Sequence, residues 1–347
     1  MPTLTLLARG AIPDAHWFET VGLGAPGAIA QWREAMPPRL TRQLARARFG
    51  ERWADPDPVP LSLPEERWLA GRFGLQPPDT FAAYALRARD PQAAGWCVRP
   101  VHLHVGRDHV ILGDAAPALD DAEADALFEA AREEFVHEGL SLLRHGPALW
   151  SFPQWPHGPL EASSADCAAG RNLERHLPRG EGARPWRRVA NAVQMAWHAH
   201  PVNAAREAAS RPAINGLWLE GRADAEPESP YTHVCGADGA FADALAGLAG
   251  ALRADRPVAR GAPTPVLECI EGFRAARIAG DWTAWLDAWH EFDRLLAPLD
   301  GAAIELVLTG ERTRWHATLA PHPRWWRWPA RREDFVGRLA RAEAPAT

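Results

Sequence analysis

The run from Val189 to Gly221, VANAVQMAWHAHPVNAAREAASRPAINGLWLEG, leaves the chain few ways to fold, because its apolar spacing changes from helical to strand-like around a proline break. Val189, Val193 and Trp197 recur every fourth residue and mark one buried face of a helix. Pro201 removes a backbone donor and so ends or kinks that helix. With Pro201 in its first turn, a second short helix places Asn203 and Arg206 three residues apart on one face. Ile214 to Leu219 then reads as a buried strand.

The rest of the chain reads as mixed α and β. Leu4 to Ala8 is a first strand, Ala28 to Phe49 is helical material, and Glu65 to Phe73 is a helix after the connector DPDPVPLSLP. Val98–Val105 and Asp108–Leu112 form a hairpin turning at Gly106 and Arg107, and Asp120 with Glu123 begins a helix by reciprocal capping. Residues 146–186, rich in Pro and Gly, wrap the surface. Val266 to Ala279 reads as a helix ended at Gly280, and Asp281 caps a further helix carrying Trp282, Trp285, Trp289, Phe292 and Leu296 at three- to four-residue spacing, a stripe that belongs to a core. Ile304 to Leu308 is a strand, and GRADAEPESPY is the best hinge.

Composition narrows the function classes. At 347 residues and 47% hydrophobic, the chain can bury a core of about two domains, or of one domain with a large insertion. A net charge of −6 gives no general affinity for nucleic acid or an anionic membrane, and no apolar run approaches the ~18 residues of a spanning helix. MPTLTLLARG has no cationic region ahead of its apolar stretch, so a cytoplasmic location is expected. Every basic residue is Arg, and without Lys the chain can hold neither a Schiff base nor a Walker-type phosphate loop. Cys97, Cys167, Cys235 and Cys269 form no CxxC pair and read as buried apolar thiols. The 17 Trp suit cores and ligand platforms alike.

Two further patterns invite a site and fall short of one. His102 and His104 lie on one face of a strand, and His198 and His200 flank the Pro201 break, but neither pair has a compelling ligand spacing, and no metal or cofactor is expected. His200 also suits an N-cap or a ligand donor. PHPRWWRWPARREDF, residues 321–335, interleaves Arg with Trp, yet it is short, Pro-interrupted and followed by Glu333 and Asp334, so its rings are expected to fold back on the protein.

HPVNAARE followed by INGLWLEG resembles the signature of the RpfE-type regulatory proteins and, more distantly, the archaeal-type cofactor-independent phosphoglycerate mutases of the alkaline phosphatase superfamily. GWCVRPVHLHVGRDHVIL, GRNLERHLPRG and the run around VLECIEGFRAARIAGDW follow in the order those families imply, so the resemblance covers residues 1 to about 320. It implies an α/β fold with a mostly parallel, helix-flanked sheet built from residues 1–95 and 225–347, and an inserted α+β domain at 96–224.

The resemblance also implies which chemistry is missing. Enzymes of that superfamily hold two divalent metals with Asp and His side chains and attack phosphate with a Ser or Thr. Here the metal-binding Asp-Gly after the first strand becomes Arg9-Gly10, and the nucleophile position falls on Glu65, with Ser62 the nearest hydroxyl. The late Asp and His ligands fall near Glu271 and Ala275, and the Asp-His pair falls near Thr309 and Gly310. Such a chain is expected to be a catalytically degenerate mutase-like protein with a regulatory or ligand-binding role. The alternatives are a metal-dependent phosphatase or mutase-like enzyme with a relocated site, and a protein-interaction scaffold.

For the polar signature two readings use the same atoms. Asn203, Arg206 and Asn215 could form a buried hydrogen-bond network. They could equally bind an anionic metabolite between core and insertion, with Arg99 as a second cation and His200 and Trp218 beside them, because Arg presents a planar fork to carboxylate or phosphate. A protein partner is the other expected ligand.

Overall fold

The structure is a computed structural model that describes residues 4–75, 95–106, 109–114, 118–223, 228–236, 252–254, 265–299, 303–319 and 334–342. It divides into two compact units, Met1–Pro58 with Ser229–Thr347, and Val59–Glu228. Strands and helices are numbered along the whole chain.

The first unit contains β1 (Leu4–Ala8), β2 (Arg48–Ala54), β8 (His233–Gly236), β9 (Leu252–Ala254), β10 (Val266–Ile270), β11 (Ile304–Thr309) and β12 (Thr313–Leu319) in one seven-stranded sheet, ordered β2-β12-β11-β1-β10-β8-β9. β1 is buried along its whole length and pairs in parallel with β10 on one side and β11 on the other, the environment that selects near-continuous apolar strands. β8 and β9 extend the parallel part beyond β10, while β12 and β2 close the opposite edge antiparallel.

Helices α1 (Ala15–Thr20), α2 (Ala25–Ala35), α3 (Pro38–Leu44), α9 (Gly272–Ala279), α10 (Trp282–Leu296) and α11 (Phe335–Ala340) contribute to the core on this sheet. Asp281 caps α10, accepting from the Ala284 amide, and the helix buries Trp285, Trp289, Phe292 and Leu296. Trp32 of α2 meets Trp285 edge-on at 5.0 Å and lies 5.6 Å from Trp289. Burying each such ring stabilises by a few kcal/mol, so the Trp stripe is core. The unit is thus a mostly parallel sheet flanked by helices and drawn from both ends of the chain.

The second unit contains β3 (Gly95–Val105), β4 (Val110–Asp114), β5 (Leu143–Gly146), β6 (Leu149–Phe152) and β7 (Gly216–Ala223) in an antiparallel sheet ordered β4-β3-β6-β5, with β7 also paired to β3. Its helices are α4 (Pro64–Arg72), α5 (Asp121–His137), α6 (Ala165–Ala168), α7 (Ala183–His198) and α8 (Pro201–Ala208). β3 and β4 form the expected hairpin, with His104 opposite Ile111. The Asp120–Glu123 capping box begins α5 as the sequence implies. α7 buries Val189, Val193 and Trp197, and Pro201 opens α8.

Several boundaries differ from the sequence expectations. Val266–Ile270 is a strand, and only Gly272–Ala279 is helical, because the apolar run VLECI is sandwiched between β1 and β8. A run that short carries no period that separates strand from buried helix. The helical material after Ala28 ends at Leu44, and β2 begins at Arg48 as a half-exposed edge strand. β6 and the short α6 interrupt the loop-rich stretch 146–186. The last strand of the signature runs over Gly216–Ala223 rather than Ile214–Leu219, since Asn215 uses its side chain at the strand's start.

The unit boundary falls between 58 and 59 and between 228 and 229, instead of at 95/96 and 224/225. The reason is chemical. Glu66 of α4 accepts from the Ser164 hydroxyl at 2.7 Å, which ties α4 to the unit that holds α6. The four cysteines are free and buried. Among the described residues no helix is long and apolar enough to cross a membrane. The tip of the β3–β4 turn at 107–108, most of the Arg/Trp segment at 321–335, and residues 224–227 of the hinge lie outside the described residues.

Candidate functional site

Asn203 is 3% exposed, and its amide is engaged on both sides. Its Nδ2 donates to the carbonyls of Trp197 (2.9 Å) and Ile214 (2.8 Å), and its Oδ1 accepts from the Ile214 amide (2.8 Å), fastening the end of α7 to the approach to β7. Arg206, 2% exposed, sends Nε to the Pro212 carbonyl (2.8 Å) and Nη1 to the Ala118 carbonyl (3.0 Å) and the Glu123 carboxylate (2.8 Å). Glu123 receives Arg211 as well, at 2.9 Å. Asn215 mimics a strand residue, accepting from the Leu103 amide and donating to the Leu103 carbonyl.

The remaining signature residues are also engaged within this unit. Trp218 Nε1 donates to the Ser163 carbonyl, and His200 Nδ1 accepts from the Val202 amide as the N-cap of α8. Arg99 meets Glu220 at 3.0 Å, and Glu220 also accepts from the Ala165 amide. Burial holds the Glu220 carboxyl above its ordinary range, although Arg99 pulls it down. His102 Nδ1 lies 2.7 Å from the Ala213 carbonyl, and among the described residues no three His, Cys, Asp or Glu side chains converge as a cation would need.

A second constellation lies in the other unit, at the carboxyl ends of the central parallel strands, where open α/β sheets place their ligands. Ala8 is in register with Ile270 and with Leu308, so the residues that follow arrive at one level. Arg9, 3% exposed, donates from Nη1 to Glu271 Oε2 at 2.8 Å. The Gly10 amide donates to the Thr309 hydroxyl (3.3 Å), and Ile12 to the Thr309 carbonyl (2.9 Å). Gly10 has φ +79°, and an added Cβ would stand 3.1 Å from Arg277 Cδ, so the chain turns here only because the side chain is absent. Trp285 Nε1 donates to the Gly10 carbonyl.

α9 starts at this level and supplies two more guanidinium groups. Arg274 and Arg277 both meet Glu311 Oε1 at 3.0 Å. Arg277 also meets Asp14 (3.0 Å), donates to the Ile12 carbonyl (3.1 Å) and lies 5.4 Å over the Trp17 ring. Arg9, Arg274 and Arg277 thus balance Asp14, Glu271 and Glu311 in ion pairs at or below 3.0 Å. Of these, the sequence comparison singled out Arg9, Glu271 and Thr309, and the fold brings all three together. Arg274, Arg277 and Glu311 carry no such mark in the sequence, because only the helical start at Gly272 and the turn after β11 deliver them.

A pair of divalent cations needs several anionic ligands with free lone pairs. Here each of the carboxylates Asp14, Glu271 and Glu311 already meets a permanent cation, and Thr309 offers a neutral hydroxyl. The residues present do not fit a two-metal centre. Glu65, and Ser62 as its nearest hydroxyl, are each 1% exposed in the second unit, where the Ser62 hydroxyl accepts from Arg67 at 3.2 Å.

No protein-family profile matches the chain, and no curated protein matches it. Among solved structures, the PH0037 protein from Pyrococcus horikoshii is 13% identical with a TM-score of 0.48, over 92% of this chain and 87% of that one. The cofactor-independent phosphoglycerate mutase from Thermoplasma acidophilum DSM 1728 is 14% identical with a TM-score of 0.43, over 92% of this chain and 90% of that one.

Proposed function

We propose that this protein is a non-catalytic, regulatory binding protein on a phosphoglycerate-mutase-like scaffold, in the manner of the RpfE-type proteins that its sequence resembles. The observation that carries the reading is the Arg9–Glu271 ion pair at the carboxyl ends of β1 and β10. A buried guanidinium 2.8 Å from Glu271 Oε2 places a permanent cation where a metal ion would have to sit, and repels it. Arg274 and Arg277 neutralise Glu311 in the same way. The binding role falls to a protein partner ahead of an anionic metabolite, because Asn203 and Arg206 already have their polar atoms on neighbouring groups of their own unit.

The test is turnover of 3-phosphoglycerate and of p-nitrophenyl phosphate by the full chain with Mn, Mg or Zn. The expected result is a rate no higher than that of an unrelated protein purified alongside. Turnover that survives repurification and disappears in Glu271→Ala overturns the reading in favour of an enzyme.

A further inference from the structure

α9 has two differently occupied faces. One carries Phe273 into the core and Arg274 and Arg277 to Glu311. The other presents Ala275 and Ala279, which with Ala288 of α10 floor a groove of about 390 Å3. The two helices touch closely at Gly272, where an added Cβ would meet Ala288 Cβ at 3.3 Å. Methyl groups make a shallow apolar floor that leaves room for the side chains of another segment.

The rim of the groove is acidic. Asp281, Asp287 and Glu291 line it, and the last two are four residues apart on one face of α10. Asp281 also accepts from the Ala284 amide, and Glu291 meets the exposed Arg294 at 3.6 Å, a pair worth little in water.

We propose that this groove docks a short basic amphipathic segment of a partner protein, with apolar side chains on the alanine floor and Lys or Arg on the rim, a proposal that rests on the non-catalytic binding role. An amphipathic helix laid in a groove is a recurring mode of recognition, and complementary charge sets its partner. A second copy is the poorer occupant, because this chain carries a net charge of −6 and an identical acidic rim.

The probe is a labelled helical peptide of about two heptads, with Leu at the spacing of one helical face and Lys elsewhere, compared with its Lys→Glu counterpart by fluorescence anisotropy on the full chain. Saturable binding of the Lys peptide alone is expected. Ala279→Trp, which fills the groove from an exposed position, and Asp287→Arg with Glu291→Arg should each weaken it by about tenfold or more. Glu129→Arg, an exposed acid of the other unit, should leave it unchanged.

Three results overturn the proposal: no saturable binding, equal weakening by Glu129→Arg, or indifference to Ala279→Trp. A dimer in sedimentation that Ala279→Trp abolishes also overturns it and gives the groove to a second copy. Loss of peptide binding leaves the absence of turnover standing, whereas turnover removes the binding role without touching the peptide result.

Discussion

Glu66→Gln is expected to abolish much of the loss of stability that the protein suffers as pH rises from about 4.5 to about 8. Glu66 is 3% exposed at the start of α4, where its Oε2 accepts from the Leu63 amide (2.6 Å) and the Ser164 hydroxyl (2.7 Å). Burial, then the charge of Asp166 and more weakly that of Glu65, pushes its carboxyl up from 4.5 to about 8, against the pull of those two hydrogen bonds. A carboxyl whose folded pKa is raised holds its proton more tightly in the native state. Its contribution is therefore fully present below the unfolded value and is lost as pH rises through the folded one.

A displacement of that size corresponds to at most about 5 kcal/mol at high pH. Gln keeps an oxygen acceptor for Leu63 and Ser164 and cannot ionise, so its urea midpoint should stay nearly level where that of the natural protein falls. Glu268, pushed up to about 7 by burial, contributes a parallel slope to both proteins, and the difference between them isolates Glu66. Equal slopes for the two proteins between pH 5 and pH 8.5 would sink the assignment.

Arg206→Ala should destabilise the protein by about 3–5 kcal/mol, since it removes three hydrogen bonds of a buried charged group, each worth about 1.5 kcal/mol. The change strips one hydrogen bond from each of the carbonyls of Pro212 and Ala118 and removes one of the two guanidinium groups that meet Glu123, which is 14% exposed. In a unit of this size the melting temperature should fall on the order of 10 °C. Glu123→Gln should lose less in the Arg206→Ala background than alone, because the two side chains act together. An Arg206→Ala protein as stable as the natural one, which loses affinity for phosphate or a carboxylate, would return this segment to ligand binding.

Much of the second unit is legible in the sequence because its signals are local. Val189, Val193 and Trp197 announce α7 by spacing alone, Pro201 and His200 mark the start of α8, and Asp120 with Glu123 is a capping box that needs no tertiary information. The same holds for Asp281 and the Trp stripe of α10. What is not legible depends on distant partners. VLECI is a strand only because β1 and β8 flank it, and Glu271 reaches Arg9 only because that strand ends beside β1.

Glu66 shows the same limit. Nothing local marks one of two consecutive acids in a helix's first turn as buried, and it is Ser164, 98 residues away, that bonds Glu66 and draws α4 into the second unit. For Asn203, Arg206 and Asn215 the sequence identifies the residues and leaves their use open. Their hydrogen bonds to Trp197, Ile214, Pro212 and Leu103 are the contacts of a scaffold.

The Arg9–Glu271 ion pair at the carboxyl ends of β1 and β10 is expected to keep divalent metal out. Diffraction from crystals of the full chain, grown without chelator and soaked in Mn2+, tests it through the anomalous signal at the carboxyl ends of β1, β10 and β11. The account predicts no peak within coordination distance of Glu271 or Thr309, and the Arg9–Glu271 contact unchanged from 2.8 Å. A manganese ion bound by Glu271, with Arg9 swung away, would contradict it.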